Sequence, residues 1–199
     1  GSEMRVSHLA YRKIRNTARF LLSNLFDFDP ATHAVAPEKL EPFDRLLVAR
    51  AGLLVSECRK AYDRFEFHTV ARRLKEFATT DLSALWCDVR KDALFVLGKD
   101  DPARRSAQTA AYRIAEALAL LLHPICPFTA EEIWEALPGH EGDTPALATW
   151  DDLRLATLSD EEHAAWGRLL DVRAAFVGAL EPLRRDGVVG TSAQARAEV

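Results

Sequence analysis

Cysteine is scarce and badly spaced for metal or disulfide chemistry. Three residues, Cys58, Cys87 and Cys126, are odd in number and form no C-x-x-C pair. A disulfide scaffold and a zinc ribbon are thereby excluded, and reduced, buried thiols are expected. The six histidines have no H-x-x-x-H spacing, so no metal site is expected. No apolar run approaches the ~18 residues of a membrane span, and no secretory n-region and h-region opens the chain. A cytoplasmic, membrane-free protein is expected. Nine glycines and nine prolines are too few for a low-complexity chain. Also missing are G-x-S-x-G, H-E-x-x-H, a Walker A loop and G-x-G-x-x-G, so no catalytic residue and no cofactor is assigned.

What remains is an ordinary globular composition, 48% hydrophobic and 28% charged, with an uneven distribution of charge. Residues 4–26 hold Arg5, Arg12, Lys13, Arg15 and Arg19 and no acid; with a net charge of −4 overall, the rest carries −9. An acidic body with one basic element suits a domain that touches RNA on one face. Gly1-Ser2 reads as a cloning remnant, and the chain as an excised fragment.

Helical periodicity dominates. Leu9 to Leu25 forms a helix with Ile14, Ala18, Leu21 and Leu25 on one face. Arg12, Arg15, Asn16 and Arg19 lie on the other. Further helices are expected over Phe43–Phe65, with Leu47, Leu54, Cys58, Ala61 and Phe65 buried, and from His68, with a break at Thr79-Thr80-Asp81. Leu82–Val96 continues with Leu85, Val89 and Ala93 inward. Asp101 and Pro102 are an N-cap and first residue for a helix to His123. Its Arg104, Arg105, Gln108, Arg113 and Glu116 are expected mostly outward. Pro124 and Pro127 then force a corner. Thr129 and Glu132 read as a capping box that restarts a helix through Ile133, Trp134 and Leu137. Ser159 and Glu162 form a second such box, for a helix to Arg185 with Trp166, Leu169, Phe176, Leu180 and Leu183 inward. Pro182 should kink or end it. No convincing period-two stretch exists. The fold class is therefore all-α: an antiparallel helix bundle with an additional C-terminal helix. The domain reading is a bundle over 1–138, a connector over 139–158 and a C-terminal helical segment over 159–199, with a fraying tail.

The basic stripe is the best functional feature. No acid lies at i±3 or i±4 along it, so the helix does not neutralise its own cations. Asn16 offers an amide to a base edge, and Tyr11 and Phe20 flank the stripe with rings suited to stacking. The alternative is an ordinary solvated face. The paired carboxylates Glu131-Glu132, Asp151-Asp152 and Glu161-Glu162 read as helix-start residues rather than acid–base pairs. Trp86, Trp134, Trp150 and Trp166 read as packing residues.

Taken as strings, Tyr11-Arg12-Lys13-Ile14-Arg15-Asn16-Thr17-Ala18-Arg19-Phe20 and His123-Pro124-Ile125-Cys126-Pro127-Phe128-Thr129-Ala130-Glu131-Glu132-Ile133-Trp134 resemble the anticodon-binding domain of class I tRNA synthetases, the isoleucyl enzyme in particular. Arg104–Ala110, Ile114–Leu118, Val172-Arg173 and Ala179–Glu181 continue the likeness in order. Valyl and leucyl enzymes share the corner more loosely. Two departures are Pro182 and the ending Thr191–Ala195. The resemblance implies a helical module that holds the anticodon stem-loop of isoleucine tRNA. A separate catalytic domain of the same polypeptide would join isoleucine to tRNA using ATP and magnesium. That domain's His-x-Gly-His and Lys-Met-Ser-Lys-Ser motifs, and a C-terminal zinc region of many bacterial members, are not found here. The RNA-facing set is read as Arg12, Arg15, Asn16 and Arg19, joined by Arg173, Arg184 and Arg185, in a monomer. The rival readings are a helical protein-interaction module whose basic face meets an acidic partner, or the equivalent domain of a valyl-tRNA synthetase.

Overall fold

The computed structural model describes residues 2–140, 143–190 and 194–195, with side chains from residue 9 onward. Eight α-helices are present among them: α1 Ser2–Ser23, α2 Pro30–His33, α3 Pro42–Asp63, α4 Phe67–Glu76, α5 Cys87–Phe95, α6 Pro102–Leu122, α7 Pro127–Glu135 and α8 Asp160–Arg185. A π-helical segment, Phe77–Trp86, joins α4 to α5 without a break. The described residues contain no strand, and the protein is an all-α helical bundle. It divides into two compact units, residues 1–157 and 158–199.

In the first unit α6 is the central rod. Asp101 caps it by accepting from the Ala103 amide, and Pro102 supplies a first residue that has no N–H to satisfy. The start of α3 lies beside the start of α6 through Asp44 and Ser106, and their ends meet through Tyr62 and Leu121. Those two helices are therefore parallel, while α4 turns back along α3 and α7 turns back along α6. The end of α1 lies beside the start of α6, where the Gln108 amide donates to the Asn24 carbonyl. Ile14, Ala18, Leu21 and Leu25 are all buried, as the stripe required.

The expected outward face of α6 is corrected. Arg104, Gln108 and Glu116 are buried, and Arg105 and Arg113 are largely covered. A helix surrounded by others can bury charge only where partners are supplied. Asp27 accepts from Arg104 at 2.9 and 3.1 Å and from Gln108 at 2.7 Å. Arg113 donates to Glu116, which also meets His140.

The break expected at Thr79–Asp81 does not occur. The Thr79 hydroxyl donates to the carbonyls of Lys75 and Glu76, and the chain passes through in wider π turns. Those turns change the phase in which α5 presents its side chains. Leu85 and Ala93 stay inward, but Val89, expected inside, is exposed.

Phe65 is likewise turned outward, with φ +57 and 79% of its surface exposed. It sits two residues past the end of α3, just after the C-cap Arg64, in a Schellman turn, in which the Glu66 amide donates to Ala61 and the Phe65 amide to Tyr62. The left-handed residue at that position is normally glycine, so the sequence offered no stop signal there. After α7, Gly139 takes φ +87 beside Pro30, a conformation that suits glycine. Residues 143–157 then contribute Trp150, stacked on Tyr62 at 5.6 Å, and Asp151, which pairs with Arg59 at 2.8 Å.

The second unit is built on α8. Ser159 and Glu162 form the expected capping box, and Gly187 closes the helix in a Schellman turn at φ +73. Pro182 lies inside the helix without ending it; the helix stops three residues later. Leu180 is buried and Trp166 and Phe176 are partly covered, but Leu169 and Leu183 are exposed, against expectation. The tail beyond Gly190 lies mostly outside the described residues.

Candidate nucleic-acid interface

The basic stripe is displayed by α1, a helix held from behind by its apolar face. Arg12, Asn16 and Arg19 are exposed, and Arg15 is half-exposed. Arg12 and Arg19 make no ion pair with a described residue. Arg12, Asn16 and Arg19 keep within one exposed strip about two turns long, because spacings of four and three return to the same side of a helix. The side chain of Arg5, counted in the basic segment, lies outside the described residues.

Arg15 departs from the expected free cation. Its Nη2 lies 2.6 Å from Oε2 of Glu132 on α7, and that bond and charge hold the guanidinium above its ordinary pKa. The partner comes from 117 positions away, so a count along α1 could not reveal it. One turn earlier, the Tyr11 hydroxyl and the Thr129 hydroxyl are 2.9 Å apart. Two rungs, 11 with 129 and 15 with 132, thus tie α1 to α7. Between the helices runs a groove of about 290 Å³ lined by Arg15, Arg19, Leu22, Thr129, Glu132 and Ile133.

This arrangement corrects the capping box read at Thr129–Glu132. α7 begins three residues earlier, at Pro127 with Cys126 as N-cap, and no side chain caps it. Thr129 and Glu132 therefore lie inside the helix and face α1. Glu131 is also drawn to a neighbour, accepting from the Thr144 hydroxyl at 2.8 Å and lying 3.6 Å from His123. Asp152 does act as a helix-start residue, in a capping box with Thr149 that opens a short 3₁₀ turn, Trp150–Asp152.

The two rings flanking the stripe are both engaged. Tyr11 is held by Thr129 yet 38% exposed, and Phe20 meets Phe95 edge-to-face at 6.0 Å. Only Tyr11 keeps much of its ring available. The remaining predicted contacts, Arg173, Arg184 and Arg185, belong to α8 in the second unit. All three are exposed, and Arg185 lies 3.7 Å from Asp186. Arg173 and Arg184 also have interactions within the protein.

The tryptophans pack: Trp86 and Trp134 are buried and Trp150 lies on Tyr62. All three cysteines are free, and burial pushes the Cys58 thiol up to about 11. Among the described residues no group of three or more His, Cys, Asp or Glu is placed to hold a metal ion, and no helix is long and apolar enough to cross a membrane.

A two-faced helix with a cationic side is able to bind phosphates and to present an amide to a base. Comparison with known proteins identifies the family. The family model for the anticodon-binding domain of tRNA ligase matches residues 44–199. The isoleucine–tRNA ligase of Alkalilimnicola ehrlichii is 47% identical over 193 residues, covering 96% of this chain and 20% of that protein. Those of Halorhodospira halophila and Nitrosococcus oceani are 45% and 42% identical, again with 96% of this chain and 20% of each relative covered. The chain thus spans about a fifth of the length of these relatives. With its helical bundle and a match over most of its length, the chain belongs to the family of anticodon-binding domains of tRNA ligases.

Proposed function

We propose that this chain grips the anticodon stem-loop of isoleucine tRNA, as the anticodon-binding part of an isoleucine–tRNA ligase. The observation that carries the reading is identity of 42–47% to isoleucine–tRNA ligases along nearly the whole chain. In the full-length protein a catalytic domain would join isoleucine to the tRNA with ATP and magnesium, in the cytoplasm and as a monomer. This part would supply only the grip.

Within the site, Arg12 and Arg19 neutralise backbone phosphates, and their guanidinium forks suit phosphate better than lysine would. Asn16, between them, meets the edge of an unpaired base. Arg15 joins them once its carboxylate partner yields. Arg173, Arg184 and Arg185 form a second, smaller set on α8. Phosphate contacts give affinity and make it depend on salt, while base contacts give the choice of RNA.

The test is a salt titration with a fluorescent isoleucine anticodon stem-loop. Arg12→Ala with Arg19→Ala weakens binding and flattens the dependence of log K on log salt by about 0.7–0.9 for each lost phosphate contact. An unchanged affinity and slope removes the α1 stripe from the interface.

A further inference from the structure

Glu132 is out of place on a surface meant for RNA. It stands at the edge of the basic stripe, with its side chain 60% exposed and its carboxylate against Arg15. A carboxylate there occupies a guanidinium that would otherwise be open to phosphate. Stability is a poor reason for it, since exposed ion pairs contribute little. α1 and α7 are already joined by the Tyr11–Thr129 bond, and Ala18, Leu22 and Ile133 give the groove between them an apolar lining.

The geometry suggests a different role. Glu132 offers Arg15 the oxygens that a phosphate would offer, at 2.6 Å, a distance typical of charge-assisted bonds. Arg15 is consequently held on the groove side of the stripe. Arg19, one turn further along the same groove, makes no ion pair with a described residue. One wall of the groove therefore carries two arginines, one held and one free.

We propose that Glu132 is an internal stand-in for RNA phosphate: it holds Arg15 in the free protein and surrenders it to the anticodon-loop backbone on binding. This rests on the tRNA-grip reading above and names a positioning residue within it. The exchange replaces one ion pair by another, so Arg15 adds little to affinity for arbitrary polyanions. It contributes only where an RNA places a phosphate in the groove well enough to displace the carboxylate, which favours shape over bulk charge. Glu132 thus acts as a filter on a surface that would otherwise be sticky.

A double-mutant cycle tests this, with the isoleucine anticodon stem-loop and single-stranded poly(U) as the two probes. Glu132→Gln is expected to tighten stem-loop binding about two- to fivefold, the range set by the weight of an exposed pair. Poly(U) binding should tighten by more, so that the preference for the stem-loop falls; equal tightening of the two RNAs would overturn the filter. In an Arg15→Ala background the gain on Glu132→Gln should vanish, because no cation is left to release. A gain that persists without Arg15 would mean simple repulsion and overturn the proposal. An unchanged or weakened affinity in Glu132→Gln overturns it as well. If the unmodified chain binds neither probe, the tRNA-grip reading itself fails, and this one falls with it. Helical content measured by circular dichroism confirms that each variant is folded.

Discussion

Asp44→Ala should destabilise the bundle by about 3–5 kcal/mol, the cost of stranding a buried charge and its donors. Asp44 is fully buried at the start of α3. It accepts from the Trp86 indole at 2.9 Å, from Arg90 Nε at 2.8 Å and from the Ser106 hydroxyl at 2.7 Å. One carboxylate thereby joins α3, the π segment, α5 and α6. Burial pushes its carboxyl up, while Arg90, Ser106 and Trp86 pull the other way. Alanine leaves the indole N–H, the guanidinium and the hydroxyl without their acceptor in a site closed to water. For a chain of this size the main thermal transition should fall by roughly 6–20 °C. Asp44→Asn keeps an acceptor oxygen and the shape, and should cost less than alanine. A fall of under 1 kcal/mol in urea unfolding of the alanine variant would show that water reaches the site.

The second large effect is expected at Asp27, and it carries a pH signature. The carboxylate faces Arg104 and Gln108, and both it and Arg104 are less than a tenth exposed. Burial opposes its charge, but bonds from Arg104 and Gln108 and the charges of Arg104 and Arg105 outweigh it, leaving the carboxyl below its ordinary value. Such a group contributes stability that is fully present above the unfolded carboxylate pKa of about 4 and is lost as pH falls through the lower folded value. Asp27→Ala should therefore cost about 3 kcal/mol at neutral pH, because Arg104 remains buried without its counter-charge. The variant's stability should also fall less steeply than the parent's as pH drops below about 4. Urea midpoints taken across that range check both statements. Equal acid slopes in parent and variant would remove Asp27 from the acid response.

These two carboxylates also mark the boundary of what the sequence makes legible. The helices of the bundle, the cap at Asp101 and the apolar stripe of α1 follow from local chemistry, because each signal lies within a turn or two of its effect. Arg104, Gln108 and Glu116 read as surface residues because their partners are far away along the chain. Only the packing of α6 on all sides decides that they are inside. The capping box at Thr129 and Glu132 failed for a related reason. The same side chains serve either a helix start or a neighbouring helix, and Pro127 had already set the start. At Phe65 the chain adopts a left-handed turn without glycine, and at Phe77–Trp86 it takes π turns that a 3.6-residue count does not anticipate. Of the site, the exposed face of Arg12, Asn16 and Arg19 was legible; the holding of Arg15 by Glu132 was not. In both the core and the site, the unreadable side-chain roles are those set by partners distant along the chain.

The central claim is that α1 presents a cationic ridge to a particular tRNA loop. Its most direct test is competition between the isoleucine anticodon stem-loop and the same stem carrying a different anticodon, measured by fluorescence anisotropy at 0.15 M salt. The account predicts tighter binding of the isoleucine loop, by about 1–3 kcal/mol for each base contact made. It also predicts that Asn16→Ala narrows the difference, whereas Arg12→Ala weakens both RNAs alike. Equal affinity for the two loops, with neither variant changing it, would contradict the account.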